Sequence, residues 1–195
     1  MPLLIRPETP ADVPAIFALT EAAFRTAAHS AGTEQFIVNT LRRSGALAVS
    51  LVAESDGRVI GHVAVSPVTV SDGAAGWSGL GPISVSPEHQ RTGIGSQLMH
   101  AALQALQDRG GSGCMLVGDP AYYQRFGFRP EPGLVYPGVP PEYFLVLAFG
   151  RGLPQGVVTF HEAPRSAEEA IKIADDLMYT VKHENKNGIR EMNQP

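Results

Sequence analysis

The sequence predicts a mixed α/β sandwich, in which helices flank a sheet and a further helix follows at the C-terminal end. Short apolar runs bounded by glycine or proline alternate with longer segments in which apolar residues recur at helical spacing. The predicted order of elements is β, α, α, β, β, β, α, β, α, β, β, which is typical of this fold class. The chain has 195 residues, of which 44% are apolar and 17% charged, so it can bury a core of its own.

The N-terminal part is predicted to contain one strand and two helices. The strand covers Leu3–Arg6, and Pro10 then follows a capping threonine at the start of a helix whose apolar residues continue to Phe24. Residues 25–33 are small and polar, which indicates a loop. A second helix is expected over Glu34–Ser44, where a glycine ends it.

The central part is predicted to be rich in strands, and the first two form a hairpin. They cover Ala46–Glu54 and Arg58–Ser66, with a Ser-Asp-Gly turn between them. A short segment over 68–70 repeats the pattern before the strand at Trp77–Val85. The remaining elements are a long helix from Ile94, a strand at Cys114–Val117, a short helix from Pro120 and strands at Tyr143–Phe149 and Val157–His161.

A glycine-bearing loop over residues 90–95 joins the strand that ends at Val85 to the long helix. A helix start of this kind directs several unpaired N–H groups at one spot, and the helix dipole adds positive charge there, so the spot attracts phosphate. A dinucleotide fingerprint would need a third glycine where Leu98 stands, and a Walker loop would need a lysine. The loop is therefore a different kind of phosphate loop, or else a plain tight turn.

A second motif lies downstream, where Gly118–Phe128 follows the buried strand that ends at Val117. Pro120 starts a short helix there and Gly127 ends it. The two motifs, in this order, resemble the GNAT superfamily of N-acetyltransferases, and the second resembles its YhbS-type subgroup. The resemblance covers about the first 160 residues, and residues 1–165 are assigned to a GNAT acetyltransferase domain.

This resemblance implies a mixed, mostly antiparallel sheet flanked by helices. It also implies an enzyme that moves an acetyl group from acetyl-CoA directly to a primary amine of a small molecule or peptide. Acetyl-CoA is the implied co-substrate, and no metal is implied. The residues expected to bind the coenzyme are Ile83, Ser84, Val85, Gln90, Arg91, Thr92, Gly93, Ile94, Gly95, Ser96, Asp119 and Tyr123.

Tyr123 is also the expected catalytic residue, because it stands where GNAT enzymes carry a tyrosine four residues before a Gly-Phe pair. A phenol with a pKa of about 10 stays protonated at neutral pH and can give its proton to a departing thiolate, whose thiol has a pKa of about 8.5. The alternative role is packing on the sheet, which is assigned instead to Tyr122. Asp119 is expected to cap the short helix, and Arg91 to offer a cation to the pyrophosphate.

The Gly81-Pro82 pair interrupts the strand predicted over 77–85. Because proline lacks an N–H, the pair indicates a bulge or a splayed edge, unless it only marks the start of a strand. By resemblance, GNAT enzymes open the sheet at this strand, and the pantetheine arm of the coenzyme pairs with its backbone. A backbone N–H near Ile83 would then polarise the thioester oxygen.

Several features of the function are left open by the sequence. The base that takes the amine proton could be Glu34, Glu54, Glu88 or His62, and none of them is favoured. The acyl group could be larger than acetyl. The protein could also be a CoA-binding sensor or interaction module that keeps the fold without turnover.

Composition argues against several kinds of partner. A net charge of −4 gives no electrostatic footprint for nucleic acid or an anionic membrane, and no apolar run reaches membrane-spanning length. The N-terminus lacks the features of a signal peptide, so a cytoplasmic location is expected. The single cysteine, Cys114, is expected to be a small core residue, and the histidines lack the spacing of a zinc site.

Residues 166–195 are expected to form a helical tail with a different composition, since all of the lysines lie there. Ser166 and Glu169 form a capping box ahead of one apolar stripe, which predicts a helix to about His183. Three interpretations of this helix are open. It packs on its own domain, it is exchanged between the subunits of a homodimer, or it is a segment of foreign origin joined to the domain.

Overall fold

A computed structural model describes residues 3–25, 32–150 and 152–161. The tail expected at 166–195 lies outside these residues, as does most of the loop expected at 25–33. The helices are α1 (Val13–Phe24), α2 (Glu34–Arg43), α3 (Ile94–Asp108) and α4 (Pro120–Tyr123). The strands are β1 (Leu4–Pro7), β2 (Val49–Ser55), β3 (Arg58–Val70), β4 (Trp77–Val85), β5 (Gly113–Val117), β6 (Arg129–Pro130), β7 (Leu134–Val135), β8 (Phe144–Ala148) and β9 (Gly156–Phe160).

The predicted helices and strands are present in the described residues, with two differences. β3 continues through Pro67 to Val70 as one strand, where the sequence predicted two segments. On this edge of β3, Val65 is the last residue that pairs with β2 and Val68 is the first that pairs with β9. Pro67 lies between them, so its missing N–H removes no bond to either strand. The two-residue strands β6 and β7 were not predicted, since they are too short to show a periodic pattern.

The strands of the described chain form a sheet whose main path runs β1-β2-β3-β4-β5-β8-β6. β9 pairs with the end of β3, and β7 pairs with β9. The β4–β5 and β7–β9 pairs are parallel, and the other strand pairs are antiparallel. The predicted fold class, a mixed and mostly antiparallel sheet flanked by helices, is therefore confirmed.

Helices cover both faces of the sheet, because successive residues of a strand point to opposite faces. On one face, Val63 of β3 belongs to the core that includes Leu98 of α3. On the other face, Ala64 of β3 belongs to a cluster with Ile16 of α1 and Val38 of α2. None of the described helices has the length and apolar character needed to cross a bilayer.

Strand β9 covers the place where β3, β4 and β5 meet. A Cβ atom on Gly79 of β4 would lie 2.6 Å from Cδ1 of Phe160, so the phenyl ring lies directly on that glycine. The same ring contacts Tyr136 and Phe144, at centroid distances of 4.8 and 6.4 Å. Aromatic side chains from late in the sequence therefore close this end of the sheet.

Gly113 allows β5 to lie against β4 at this closed end, and we predict that its substitution destabilises the fold. A Cβ atom there would lie 2.6 Å from the Leu147 carbonyl oxygen and 2.6 Å from Cη2 of the buried Trp77. Overpacking of this kind lowers the free energy of unfolding by about 1–3 kcal/mol. Urea denaturation of Gly113→Ala measures this loss.

The matched control is Gly150→Ala, because a Cβ atom at Gly150 would have no neighbour within 4 Å. Its effect on the free energy of unfolding should stay within about 0.5 kcal/mol. Equal stability of the two variants would show that β4 and β5 have room to move apart at Gly113.

Candidate active site

The parallel strands β4 and β5 are paired at one end only. Three residue pairs join them, and the last is Gly79 with Met115. Beyond this point β4 continues to Val85 along β3, and β5 continues to Val117 along β8. The sheet therefore opens into a wedge between two strands that each keep a partner on their outer side.

A β-bulge lies where the wedge begins. Val63 of β3 pairs with Ile83 of β4, and Val65 pairs with Leu80. β4 therefore has one more residue than β3 between these two pairs, which defines a bulge on β4. The extra residue falls at Gly81-Pro82, whose peptide bond is cis. Since β4 already begins at Trp77, the pair lies within the strand and does not mark its start. The predicted bulge is confirmed.

The loop between β4 and α3 is held by its own side chains. Thr92 Oγ1 donates to the His89 carbonyl oxygen at 2.6 Å, and Gln90 Nε2 donates to the Val85 carbonyl oxygen at 3.2 Å. Gly93 has a φ of +90°, a left-handed conformation that glycine adopts without strain. The N–H of Gln97 makes the first bond of the helix, to Gly93, so the N–H groups of 94–96 precede the helical ladder.

A cavity of about 620 Å³ lies where this loop meets the wedge. Two arginines line it, and no carboxylate does among the described residues. The side chains and backbone groups on its wall belong to Ile83, Val85, His89, Gln90, Arg91, Gly93, Gly95, Ser96, Tyr122 and Arg125. Seven of these ten residues are among the twelve that the sequence assigned to coenzyme binding.

Five of the predicted residues lie off this wall: Ser84, Thr92, Ile94, Asp119 and Tyr123. Ser84 points to the opposite face of the sheet, where its Oγ lies 3.1 Å from Thr20 Oγ1 of α1, because it stands between two residues that face the cavity. The Ile94 side chain packs in the core with 6% exposure. Thr92 braces the loop, and Asp119 accepts a hydrogen bond from the Ala121 N–H at 2.9 Å, which is the predicted cap of α4.

The two tyrosines of α4 differ from expectation in their surroundings. Tyr122, which the sequence assigned to packing, lies on the cavity wall, with its hydroxyl 3.4 Å from where a Cβ atom of Gly95 would be. Tyr123 lies against Gly118 and Phe128, next to the core. Burial, together with the neighbouring Tyr122, raises the pKa of Tyr123 to about 12. A helix of four residues has no periodicity that could have separated the two roles.

Comparison with known proteins decides the family. Residues 4–130 match the model of the acetyltransferase (GNAT) domain. The chain belongs to the GNAT acetyltransferase family. For a member of this family, we expected a phosphate loop before α3 and an opening in the sheet at β4. The described structure has a glycine-bearing loop at the start of α3 and a wedge beside β4.

Relatives in sequence and structure agree with this assignment. The N-acetyltransferase YhbS of Escherichia coli K12 is 40% identical to this chain over 128 residues, which are 65% of this chain and 74% of YhbS. A GNAT family acetyltransferase from Brucella melitensis, solved in complex with acetyl-CoA, is 46% identical with a TM-score of 0.74, and the match covers 82% of this chain and 96% of that one. YhbS from E. coli, solved in complex with CoA, is 36% identical with a TM-score of 0.73, and the match covers 82% and 90% of the two chains.

None of the four candidate bases lines the cavity of this GNAT domain. Glu54 accepts two hydrogen bonds from Arg6, at 2.9 and 2.7 Å. Glu88 is exposed on the surface before the loop, and Glu34 begins α2. His62 is fully buried between the sheet and the α1–α2 layer. Their positions along the sequence gave no information on which face of the sheet each would occupy.

His62 belongs to a partly buried hydrogen-bonded chain. Ser50 Oγ donates to Glu8 Oε2 at 2.5 Å, and Arg42 binds both oxygens of the same carboxylate at 2.7 and 2.8 Å. Because the single hydroxyl proton of Ser50 goes to Glu8, its oxygen must accept the 2.9 Å bond from His62 Nε2. The neutral ring therefore carries its hydrogen on Nε2. Its Nδ1 has no partner among the described residues.

Two further expectations concern cysteine and metals. Cys114 is fully buried in β5, and burial raises the pKa of its thiol to about 12. It is the small core residue that the sequence predicted. Within residues 3–25, 32–150 and 152–161, no group of three or more His, Cys, Asp or Glu residues is arranged to hold a metal ion.

We predict that protonation of His62 destabilises the fold below neutral pH. Burial lowers the pKa of this ring below its ordinary value of 6.5, so between the two pKa values the unfolded chain binds a proton that the folded chain does not. The stability contributed by neutral His62 is complete above the unfolded pKa and is lost as the pH falls below it. The loss is at most about 1.4 kcal/mol per pH unit.

Urea denaturation at about pH 7 and about pH 5.5 measures this slope. Because Glu8 has a pKa held below its ordinary value of 4.5, its own contribution is lost only at lower pH. His62→Gln should flatten the dependence in this window. If His62→Gln shows the same pH dependence of the free energy of unfolding as the original protein, that dependence comes from other titratable groups.

Proposed function

We propose that this protein is an N-acetyltransferase that uses acetyl-CoA and transfers the acetyl group directly to a primary amine of a small molecule or peptide. The observation that carries the proposal is the cavity at the start of α3, which joins a phosphate-binding loop to an open wedge in the sheet. Coenzyme A has the matching parts, with phosphates at one end and an extended amide arm at the other. The GNAT relatives solved with acetyl-CoA and CoA support the same choice.

The phosphate end of the coenzyme is assigned to the loop. N–H groups at the first turn of α3, around Gly95 and Ser96, precede the helical ladder and belong to residues that line the cavity. Arg91 lies on the same wall and adds a positive charge. Thr92 and Ile94 contribute backbone only, because their side chains are engaged elsewhere.

The pantetheine arm is assigned to the wedge. Beyond Gly79 the edge of β4 that faces β5 has no strand partner in the described chain, so its backbone groups are free to pair with the amides of the arm. Ile83 and Val85 present their side chains to the same cavity. A backbone N–H at or near Ile83 would polarise the thioester oxygen as negative charge develops on it.

The transfer itself requires two proton movements. The neutral amine attacks the thioester carbon, a C–N bond forms, and the C–S bond breaks to release the thiolate of coenzyme A. The amine proton leaves through water or a base outside the cavity wall, and the thiolate takes a proton from Tyr123. Burial raises the pKa of this phenol to about 12, so it keeps its proton at neutral pH until the thiolate departs.

A second candidate is a CoA-binding sensor without turnover. It is favoured by one observation, that Tyr122 and not Tyr123 lines the cavity, while no candidate base does. A panel of amines and N-terminal peptides, assayed for CoA release and for the acetylated product, distinguishes the two functions and identifies the acceptor. Propionyl-CoA and succinyl-CoA in the same assay test the choice of acyl group.

We predict that Tyr123→Phe lowers kcat by roughly 100-fold or more, because it removes the proton donor and keeps the ring that packs on Gly118. Coenzyme binding should be nearly unchanged. Steady-state kinetics with the best amine of the panel measures kcat, and Tyr143→Phe, which removes a hydroxyl from an exposed tyrosine, is the control. Full turnover in Tyr123→Phe would leave this residue a packing role and give the acid role to solvent.

We also predict that Gly93→Val and Gly95→Val weaken acetyl-CoA binding. Valine at Gly93 forces a branched residue into a left-handed conformation, and valine at Gly95 fills space within 3.4 Å of the Tyr122 hydroxyl. Calorimetric titration measures the affinity. Gly110→Val is the matched control, since Gly110 has a φ of +73° at the opposite end of the same helix. Unchanged affinity in folded Gly93 and Gly95 variants would remove the pyrophosphate from this loop.

A further inference from the structure

Arg125 is a cation on the cavity wall that the sequence motifs did not assign. It follows α4, whereas the phosphate loop precedes α3, so the two reach the cavity from different elements. Its Nε donates to the Tyr122 carbonyl oxygen at 2.9 Å, and its Cζ lies 4.6 Å from the centroid of the Tyr122 ring. The guanidinium is thus fixed by a hydrogen bond at one nitrogen and by an aromatic face beneath it.

The two terminal nitrogens of Arg125 are left for a ligand. They make no hydrogen bond or ion pair within residues 3–25, 32–150 and 152–161, and no carboxylate from those residues lines the cavity. A planar guanidinium whose Nε is already engaged presents parallel N–H groups, which match two oxygens of a phosphate group. Because the ring and the carbonyl already orient the side chain, less rotamer freedom is lost on binding than for an arginine without these contacts.

We propose that Arg125, held by Tyr122, is a phosphate clamp for the coenzyme that reaches the cavity from the segment after α4. This inference rests on the proposed function, because it takes the ligand to be coenzyme A. The molecule carries a pyrophosphate and a separate 3′-phosphate, and both present the oxygens that a guanidinium binds. The clamp adds to the loop, because Arg125 belongs to a different element from the N–H groups at the start of α3 and from Arg91.

The clamp is connected to the predicted proton donor through aromatic contacts. The Tyr122 ring meets Tyr123 edge to face, at a centroid distance of 4.9 Å and an angle of 88°, and it also contacts Phe126 at 5.6 Å. A phosphate held by Arg125 would therefore fix the position of the ring next to Tyr123. Loss of the clamp should act on the Kd and KM for the coenzyme, with a much smaller effect on kcat.

Calorimetric titration of the full chain with CoA and with 3′-dephospho-CoA tests the clamp. Arg125→Gln should weaken CoA binding by roughly 10- to 100-fold, the effect of losing hydrogen bonds between charged groups. Arg43→Gln, which removes an exposed arginine from α2 on the other face of the sheet, should bind CoA like the original protein. Tyr122→Leu, which keeps Arg125 and removes the ring beneath it, should weaken binding by a smaller factor.

The titration with 3′-dephospho-CoA identifies which phosphate of the coenzyme the clamp binds. If Arg125→Gln weakens CoA but not 3′-dephospho-CoA, the clamp binds the 3′-phosphate; if it weakens both equally, the clamp binds the pyrophosphate. Equal CoA affinity in folded Arg125→Gln and in the original protein would overturn the clamp and leave the proposed function intact. If the original protein itself does not bind CoA, the proposed function fails, and the clamp fails with it.

Discussion

The parallel pairing of β4 with β5 stops after three residue pairs, and the rest of the site depends on that limit. Each strand is held on its outer side, β4 by β3 and β5 by β8, so neither can close the gap without giving up an existing ladder. The bulge at Gly81-Pro82 shifts the register of β4 against β3 where the gap begins. The wedge is therefore bounded on both sides by strand ladders that fix its edges.

The charges of the domain are divided between its two faces. The chain as a whole is acidic, yet the carboxylates of Glu8, Asp12 and Glu54 are bound to Arg6 and Arg42 beside the α1–α2 layer. Those ion pairs attach the N-terminal segment and α2 to the sheet, and they hold the pKa values of Glu8 and Asp12 below the ordinary range. The arginines that line the cavity have no acidic partner among the described residues, so a net negative protein can still attract an anion there.

The sequence predicted local structure best where a residue type has a strong effect on the backbone. Glycine permits a left-handed conformation, so the sequence pointed to the loop at Gly93, with a plain tight turn as the alternative. Proline removes a backbone N–H, so the sequence pointed to the bulge at Pro82, with a strand start as the alternative. The sequence does not separate neighbouring residues that compete for one role. Tyr122 and Tyr123 differ only in direction, which a four-residue helix leaves to tertiary packing. The face that Ser84 occupies was implied by strand alternation, but its bond to Thr20 was not.

The ring of Phe160 on Gly79 has a consequence for the order in which the protein is made. The apex of the wedge is formed by residues 77–79 and 113–115, and β9 covers it only after about residue 160 has left the ribosome. A nascent chain can form the β2–β3 hairpin and α3 much earlier, since those contacts are closer in sequence. Assembly of the site is thus a late event of synthesis, and until then this end of the sheet lacks its aromatic cover.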